Sequence, residues 1–148
     1  MNNLFIYMLL ILCTSCSKQD SGEYVTENNQ TSIVGKWKLI EYRSMDSHGN
    51  IVAVDKTNDN HIISFDSLGN TSDPRFSCMG KYTLTEDLSL PSTKNPILTI
   101  SFDCKTIENN IEIMDQKYRA NLMENNFLVL NLINCVEMCT YEFRRLKE

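Results

Sequence analysis

Several features that would mark a function are missing from this chain. Lysine and arginine total 14 against 19 acidic residues, for a net charge of −5, and they form no basic stripe. Nucleic-acid binding needs such a cluster to replace counterions on phosphate, so that class is excluded. Only two histidines occur, His48 and His61. His48 falls in a Gly-Asn turn and His61 at a strand start, so both read as solvated polar residues rather than bases or ligands. There is no Gly-x-Ser-x-Gly elbow and no His-Glu-x-x-His pair. Glu86 and Asp87 form a carboxylate pair, but neighbours on a strand point to opposite faces and cannot flank one bond. The polar stretch 55–60 lacks the glycine and terminal glutamate of a calcium loop. It reads as a solvated loop, with a weak cation site as the alternative. The expectation is a protein without catalytic activity, metal or cofactor.

A long apolar run is also missing. The longest, residues 4–12, has nine residues, whereas a helix crossing a bilayer needs about 20. Nine residues suit the h-region of a signal peptide, although no lysine or arginine precedes it. The run ends in Leu12-Cys13-Thr14-Ser15-Cys16. Small residues followed by cysteine resemble a bacterial lipoprotein cleavage site, and Cys16 fits the required cysteine. Cys13 fits poorly, because Ile11 and Leu12 would occupy the small-residue positions. The resemblance implies cleavage after Ser15 and acylation of Cys16 by several chains, palmitate among them. Each buried CH₂ contributes about 0.8 kcal/mol to anchoring. The alternative is an ordinary secretory signal that leaves Cys16 free. Residues 1–15 are thus the expected signal, and Cys16 the expected lipid attachment at the bacterial outer membrane, facing the periplasm or the surface. Residues 16–32 are polar and aperiodic, as a flexible tether is. Their start, Cys16-Ser17-Lys18-Gln19-Asp20, also resembles that of Bacteroidota-type lipoproteins.

From residue 33 to 147 helical periodicity is nearly absent, and short alternating segments dominate. In the clearest, residues 97–104, Leu98, Ile100, Phe102 and Cys104 share one face while Thr99, Ser101 and Asp103 share the other. Further strands are expected over 36–45, 61–66, 80–86, 112–123, 126–134 and 139–146, with a shorter one near 51–54. Turn residues separate them at 47–50, 66–70 and 124–126. No gap leaves room for a crossover helix, so the pairing should be antiparallel. The expected fold is all-β: a single antiparallel up-and-down barrel of about eight strands, which leaves no edges exposed. The expected inward residues are Trp37, Ile63, Phe65, Leu84, Phe102, Tyr118 and Phe143. They are mostly large, which predicts a filled barrel with a shallow cup.

The first strand carries Gly35-Lys36-Trp37, which resembles the Gly-x-Trp signature that opens the lipocalin barrel. Ile63-Ser64-Phe65 with Gly69, then Gly80 to Leu84, then Tyr141-Glu142-Phe143-Arg144-Arg145 are similar, in order and spacing, to small bacterial lipocalin-like domains. The resemblance implies an arginine of the last strand lying over the tryptophan. Arg145 is the candidate, since it alternates with Tyr141 and Phe143; the alternative leaves Arg144 and Arg145 in solvent. It also implies a small apolar ligand in the barrel mouth. The rival reading is an interaction module whose loops, 71–79 and 87–96, bind an envelope protein or peptide.

Four cysteines remain after Cys16: Cys78, Cys104, Cys135 and Cys139. An even count in an exported domain suggests disulfides. If Leu84 faces Leu98, Cys78 faces Cys104, because both pairs of numbers sum to 182. Cys135 and Cys139 flank a short turn and could close it. The favoured pairs are therefore Cys78–Cys104 and Cys135–Cys139; the alternative joins the two hairpins. A zinc site is disfavoured by the Cys-x₃-Cys spacing.

Overall fold

A computed structural model describes residues 24–25, 32–85, 96–107 and 115–148. Cys16, the expected signal, most of the expected tether, Glu86, Asp87 and most of loop 87–96 lie outside these. Nine strands are described: β1 (Gly35–Met45), β2 (Ile51–Asp55), β3 (Ile62–Phe65), β4 (Asn70–Ser72), β5 (Gly80–Thr85), β6 (Ile97–Ser101), β7 (Gln116–Met123), β8 (Phe127–Leu132) and β9 (Thr140–Arg145). Eight of them close into an all-antiparallel barrel in the order β1-β3-β4-β5-β6-β7-β8-β9, with β9 returning to β1. β2 is the ninth and lies outside this ring. Among the described residues there is no helix.

The long first strand explains the extra one. Residues 35–38 pair with β3, whereas residues 41–45 pair with β2. The same edge of β1 is therefore shared by two strands, and β2 rises past the barrel. A bulge between Leu39 and Glu41 shifts the pairing with β9 by one residue. Such a shift exchanges inward and outward faces. Trp37 and Leu39 point in before the bulge, and Tyr42 takes the inward place after it, against Tyr141 at 5.0 Å between rings. Glu41 and Arg43 are turned out, where Arg43 binds Glu41 and Glu142.

Two hairpin turns use one device. In 46–50 and again in 66–70 the sequence is Asp-Ser-x-Gly-Asn, with Gly49 and Gly69 at φ of 83° and 81°. Asp46 accepts the backbone N–H groups of His48 and Asn50, and Asp66 those of Leu68 and Asn70. Hydrogen bonds to the charged form, chiefly from Asn50 and Asn70, hold both carboxyls below the usual range.

The core is the inner face of the ring: Trp37, Leu39, Ile63, Phe65, Leu98, Ile100, Tyr118, Ala120, Leu128, Leu130 and Phe143. Each large side chain buried this way contributes about 1.5–3 kcal/mol. Leu84 corrects the expected list. It pairs with Leu98 across β5 and β6, but it lies beyond the last core layer and is 47% exposed. Tyr82, one inward place earlier, packs on Phe65 instead. Strand β4 was not expected, because Asn-Thr-Ser carries no apolar alternation. Its central Thr71 is nevertheless buried, between β3 and β5.

One end of the barrel is closed by the tryptophan and arginine that the sequence pairs. Arg145 lies 4.3 Å over the Trp37 ring. Its guanidinium donates to the carbonyls of Val34, at 2.5 Å, and Ser32. The indole N–H donates to the Ile33 carbonyl at 2.7 Å. Gly35 makes this possible: its φ is +138°, and a Cβ there would lie 2.7 Å from the arginine Nη1. The Gly-x-Trp signature thus has a steric cause, in that the missing side chain is the space the guanidinium fills. Burial pushes the arginine pKa down, and Glu148 opposes the shift.

The favoured cysteine pairs are the ones at bonding distance. Cys78–Cys104 has its Cα atoms 6.1 Å apart and Cys135–Cys139 has them 5.7 Å apart. The register behind the first is observed, with Leu84 opposite Leu98.

Candidate functional site: the barrel mouth

β1 runs from the closed end to the open one, and its neighbours alternate. The segments 73–79, 102–107 and 133–139 therefore gather at the mouth, with the β1–β2 turn. Most of the loop 87–96, expected as a contact surface, lies outside the described residues; the strand ends that flank it, Thr85 and Ile97, pair at the opposite end.

Loop 73–79 folds inward rather than away. Asp73 and Pro74 occupy the first two positions of a turn, residue preferences set by side-chain capping and a fixed φ. The Phe76 N–H closes it on the Asp73 carbonyl at 3.0 Å. Phe76 then stacks on Phe102, with rings 3.8 Å apart and nearly parallel. The Ile107 N–H donates to the Arg75 carbonyl at 2.8 Å, and Cys78–Cys104 locks the same two segments. Gly80 permits the close approach, because a Cβ there would meet the Phe102 ring at 2.8 Å.

This fold places an ion pair across the top of the core. The Asp73 carboxylate accepts from Arg75 Nε at 3.0 Å and Nη2 at 2.6 Å, and from the Arg75 backbone N–H at 2.9 Å. His61 Nε2 lies 3.6 Å from the same carboxylate, an electrostatic contact too long for a hydrogen bond. Burial acts to raise the Asp73 pKa, but His61 and Arg75 outweigh it and hold the carboxyl well below the usual range. Beside this pair stands Tyr118, whose hydroxyl donates to Gln116 Oε1 at 2.6 Å. Burial pushes its phenol up to about 12.

Little space is left beside the pair. The pocket that Asp73, Arg75, His61 and Tyr118 share with Ile63, Leu130 and Phe143 is about 20 Å³. That is room for about one water molecule. Ligand pockets for small organic molecules span about 300–1,000 Å³. A wider open groove of about 580 Å³ lies outside the barrel, past the Arg145 floor, between Val25 and Leu146.

The remaining expected polar candidates do not converge here. His48 stands in the exposed β1–β2 turn. In stretch 55–60, Asp55 accepts from the Thr57 N–H and hydroxyl, and Lys56 pairs with Asp59 at 2.9 Å. Among the described residues no cluster of His, Cys, Asp or Glu could hold a metal. The Asp73–Arg75 pair escaped sequence reasoning. The Asp-Pro-Arg-Phe turn was its visible signal, but its inward direction depends on Phe102, 26 residues away from Phe76.

Apolar surface collects on the rim. Met79, Ile107, Val136 and Met138 are exposed on the mouth connections, and Ile51, Val52 and Val54 on β2. Val136, at 100% exposure, is the tip of the turn closed by Cys135–Cys139. That turn is braced to β1 through the Met45 N–H, which donates to the Glu137 carbonyl at 2.8 Å. Compared with known protein families and with curated proteins, the chain matches none.

Proposed function

We propose that this chain is a non-enzymatic interaction module of the bacterial envelope, held at the outer membrane by acyl chains on Cys16. Its barrel is a rigid stand, and the mouth rim binds an envelope protein or peptide. The observation that carries this reading is the contrast at the mouth. The pocket at the ion pair keeps about 20 Å³, while Met79, Ile107, Val136 and Met138 expose apolar surface on connections pinned by two disulfides. An eight-stranded barrel is also compatible with ligand binding. A small apolar ligand larger than that pocket would have to displace the Asp73–Arg75 pair that lines it.

The test is native mass spectrometry after gentle extraction from the membrane, on the natural protein and on the Val136→Asp, Met138→Asp variant. A stoichiometric protein partner that the variant loses supports rim binding. A co-extracted lipid or pigment, with no protein partner, overturns it in favour of an interior ligand. Labelling with a radioactive fatty acid tests the anchor: incorporation that survives Cys16→Ala would sink it.

A further inference from the structure

Among the described residues, β2 is the end strand of the sheet and is paired on one side only, to β1. Its hydrogen-bonding phase is set at both ends. The Asp46 N–H donates to the Asn50 carbonyl at 2.9 Å, and the Lys56 N–H to the Ile40 carbonyl at 2.8 Å. Antiparallel pairing alternates, so Asn50, Val52, Val54 and Lys56 turn their backbone groups to β1. Ile51 and Ala53 turn theirs the other way. Natural edge strands are blunted by charged side chains, proline, bulges or cover. Ile-Val-Ala-Val-Asp has no proline or bulge and carries its one charge at its end, Asp55, and every one of its residues is exposed.

The side chains give this edge a sided character. Val54 pairs with Tyr42, Tyr42 with Tyr141, and Tyr141 with Leu130. Directly paired residues share a face, so the apolar interior of the barrel runs out along this row and ends at Val52 and Val54. These are 42% and 41% exposed.

We infer that the occupant of this edge is β2 of a second copy, added antiparallel across a twofold axis at Ala53. The strand is complementary to itself in that register. Ala53, whose backbone groups point outward, meets the partner's Ala53 as a hydrogen-bonded pair. Val52 meets the partner's Val54 on the apolar face, and Val54 the partner's Val52. Asp55 falls opposite Ile51 and Lys56 opposite Asn50, so no like charges are juxtaposed. Each copy has one such edge, and pairing consumes it. The contact is isologous and stops at two, where a head-to-tail edge would propagate. Two five-residue strands bury less than a standard interface of about 1,600 Å², so the dimer belongs to the weak class. The inference stands apart from rim binding: a monomeric protein leaves that reading intact, and failure to find a rim partner leaves this one intact.

Charge reversal at the axis tests it, because a residue at 53 meets its own copy. The full-length protein in mild detergent is compared by sedimentation equilibrium, up to millimolar concentration, with Ala53→Glu, with Ala53→Lys and with their equimolar mixture. The natural protein should dimerise with rising concentration. Each variant alone should dimerise about two- to fivefold more weakly, and the mixture should recover the dimer. A natural protein that stays monomeric overturns the inference. So do variants that dimerise like it, or a mixture that fails to recover. A disulfide test does not depend on the charged variants folding. Directly opposed Cα atoms in a hydrogen-bonded pair lie about 5.5 Å apart, within disulfide reach. Mild oxidation should link Ala53→Cys into a covalent dimer and leave Leu68→Cys, exposed at the opposite end, unlinked. Equal linking of both, or none at position 53, overturns the inference.

Discussion

Removing the two disulfides one at a time should cost unequal amounts of stability. Cys78–Cys104 closes a loop with a sequence separation of 26, and Cys135–Cys139 one of 4. If the bond acts by restricting the unfolded chain, the longer loop contributes about 3.5 kcal/mol. The shorter contributes about 1.9 kcal/mol by the same relation. The paired variants are Cys78→Ser with Cys104→Ser, and Cys135→Ser with Cys139→Ser. Trp37 is the single tryptophan and is fully buried, so its fluorescence during urea unfolding reports the whole barrel from the closed end. With equal slopes, the 78–104 variant should show the larger drop in midpoint, by a factor of nearly two. Local packing works in the same direction, since that bond also fixes the Phe76–Phe102 stack at the mouth. Equal losses, or a larger loss for 135–139, would refute the argument. The stability would then lie in the contact of the 133–139 turn with Met45 rather than in loop closure.

Asp73→Asn breaks the ion pair at the mouth. A fully buried pair costs about 3–5 kcal/mol to break, but the Arg75 side chain is 38% exposed and water screens part of its charge. About 1–3 kcal/mol is expected. The Asp73 carboxyl is held below its unfolded value of about 4. Its contribution is therefore complete above that value and is lost as pH falls through the folded one. Urea midpoints measured from neutral to acid pH should fall less steeply in Asp73→Asn. For Tyr118, burial raises the phenol to about 12 from about 10 when unfolded. The sign is opposite: its contribution is present below the unfolded value and is lost as pH rises through the folded one, and Tyr118→Phe should flatten the alkaline fall. Gly35→Ala drives a Cβ into the Arg145 guanidinium at φ +138° and should cost about 1–3 kcal/mol. Arg145→Lys cannot donate to both carbonyls in the same fork and should also destabilise, with a shift in Trp37 emission as the readout. Val136→Asp, at the exposed tip, should change stability by less than about 0.5 kcal/mol.

Much of this fold was legible because it rests on alternation, a local property. β6 could be read from Leu98 and Ile100 alone, and opposing Leu84 to Leu98 brought Cys78 opposite Cys104. Arg145 could be assigned to Trp37 from the alternation of Tyr141, Phe143 and Arg145. β4 was illegible because three polar residues carry no period. Leu84 misled for the opposite reason: its face is right, but where a core layer ends is not written in alternation. The bulge after Leu39 was equally hidden. It turns Tyr42 inward by an adjustment between β1 and β9, which are 95 or more residues apart in sequence along their paired register.

The amino-acid sequence by itself determined most of the strands, their antiparallel pairing and, away from the bulge after Leu39, the face most residues take, and it made Cys78–Cys104 the favoured pair. These follow from side-chain period and turn chemistry, which act over a few residues. Only the tertiary structure decided how much space the barrel keeps and what it leaves outside. The pocket at the mouth is about 20 Å³, with Asp73 and Arg75 meeting core side chains contributed by distant strands. β2 stands outside the ring because β1 outlasts the edge that β3 covers. Closure sums the registers of all eight strands, and no single segment carries that sum.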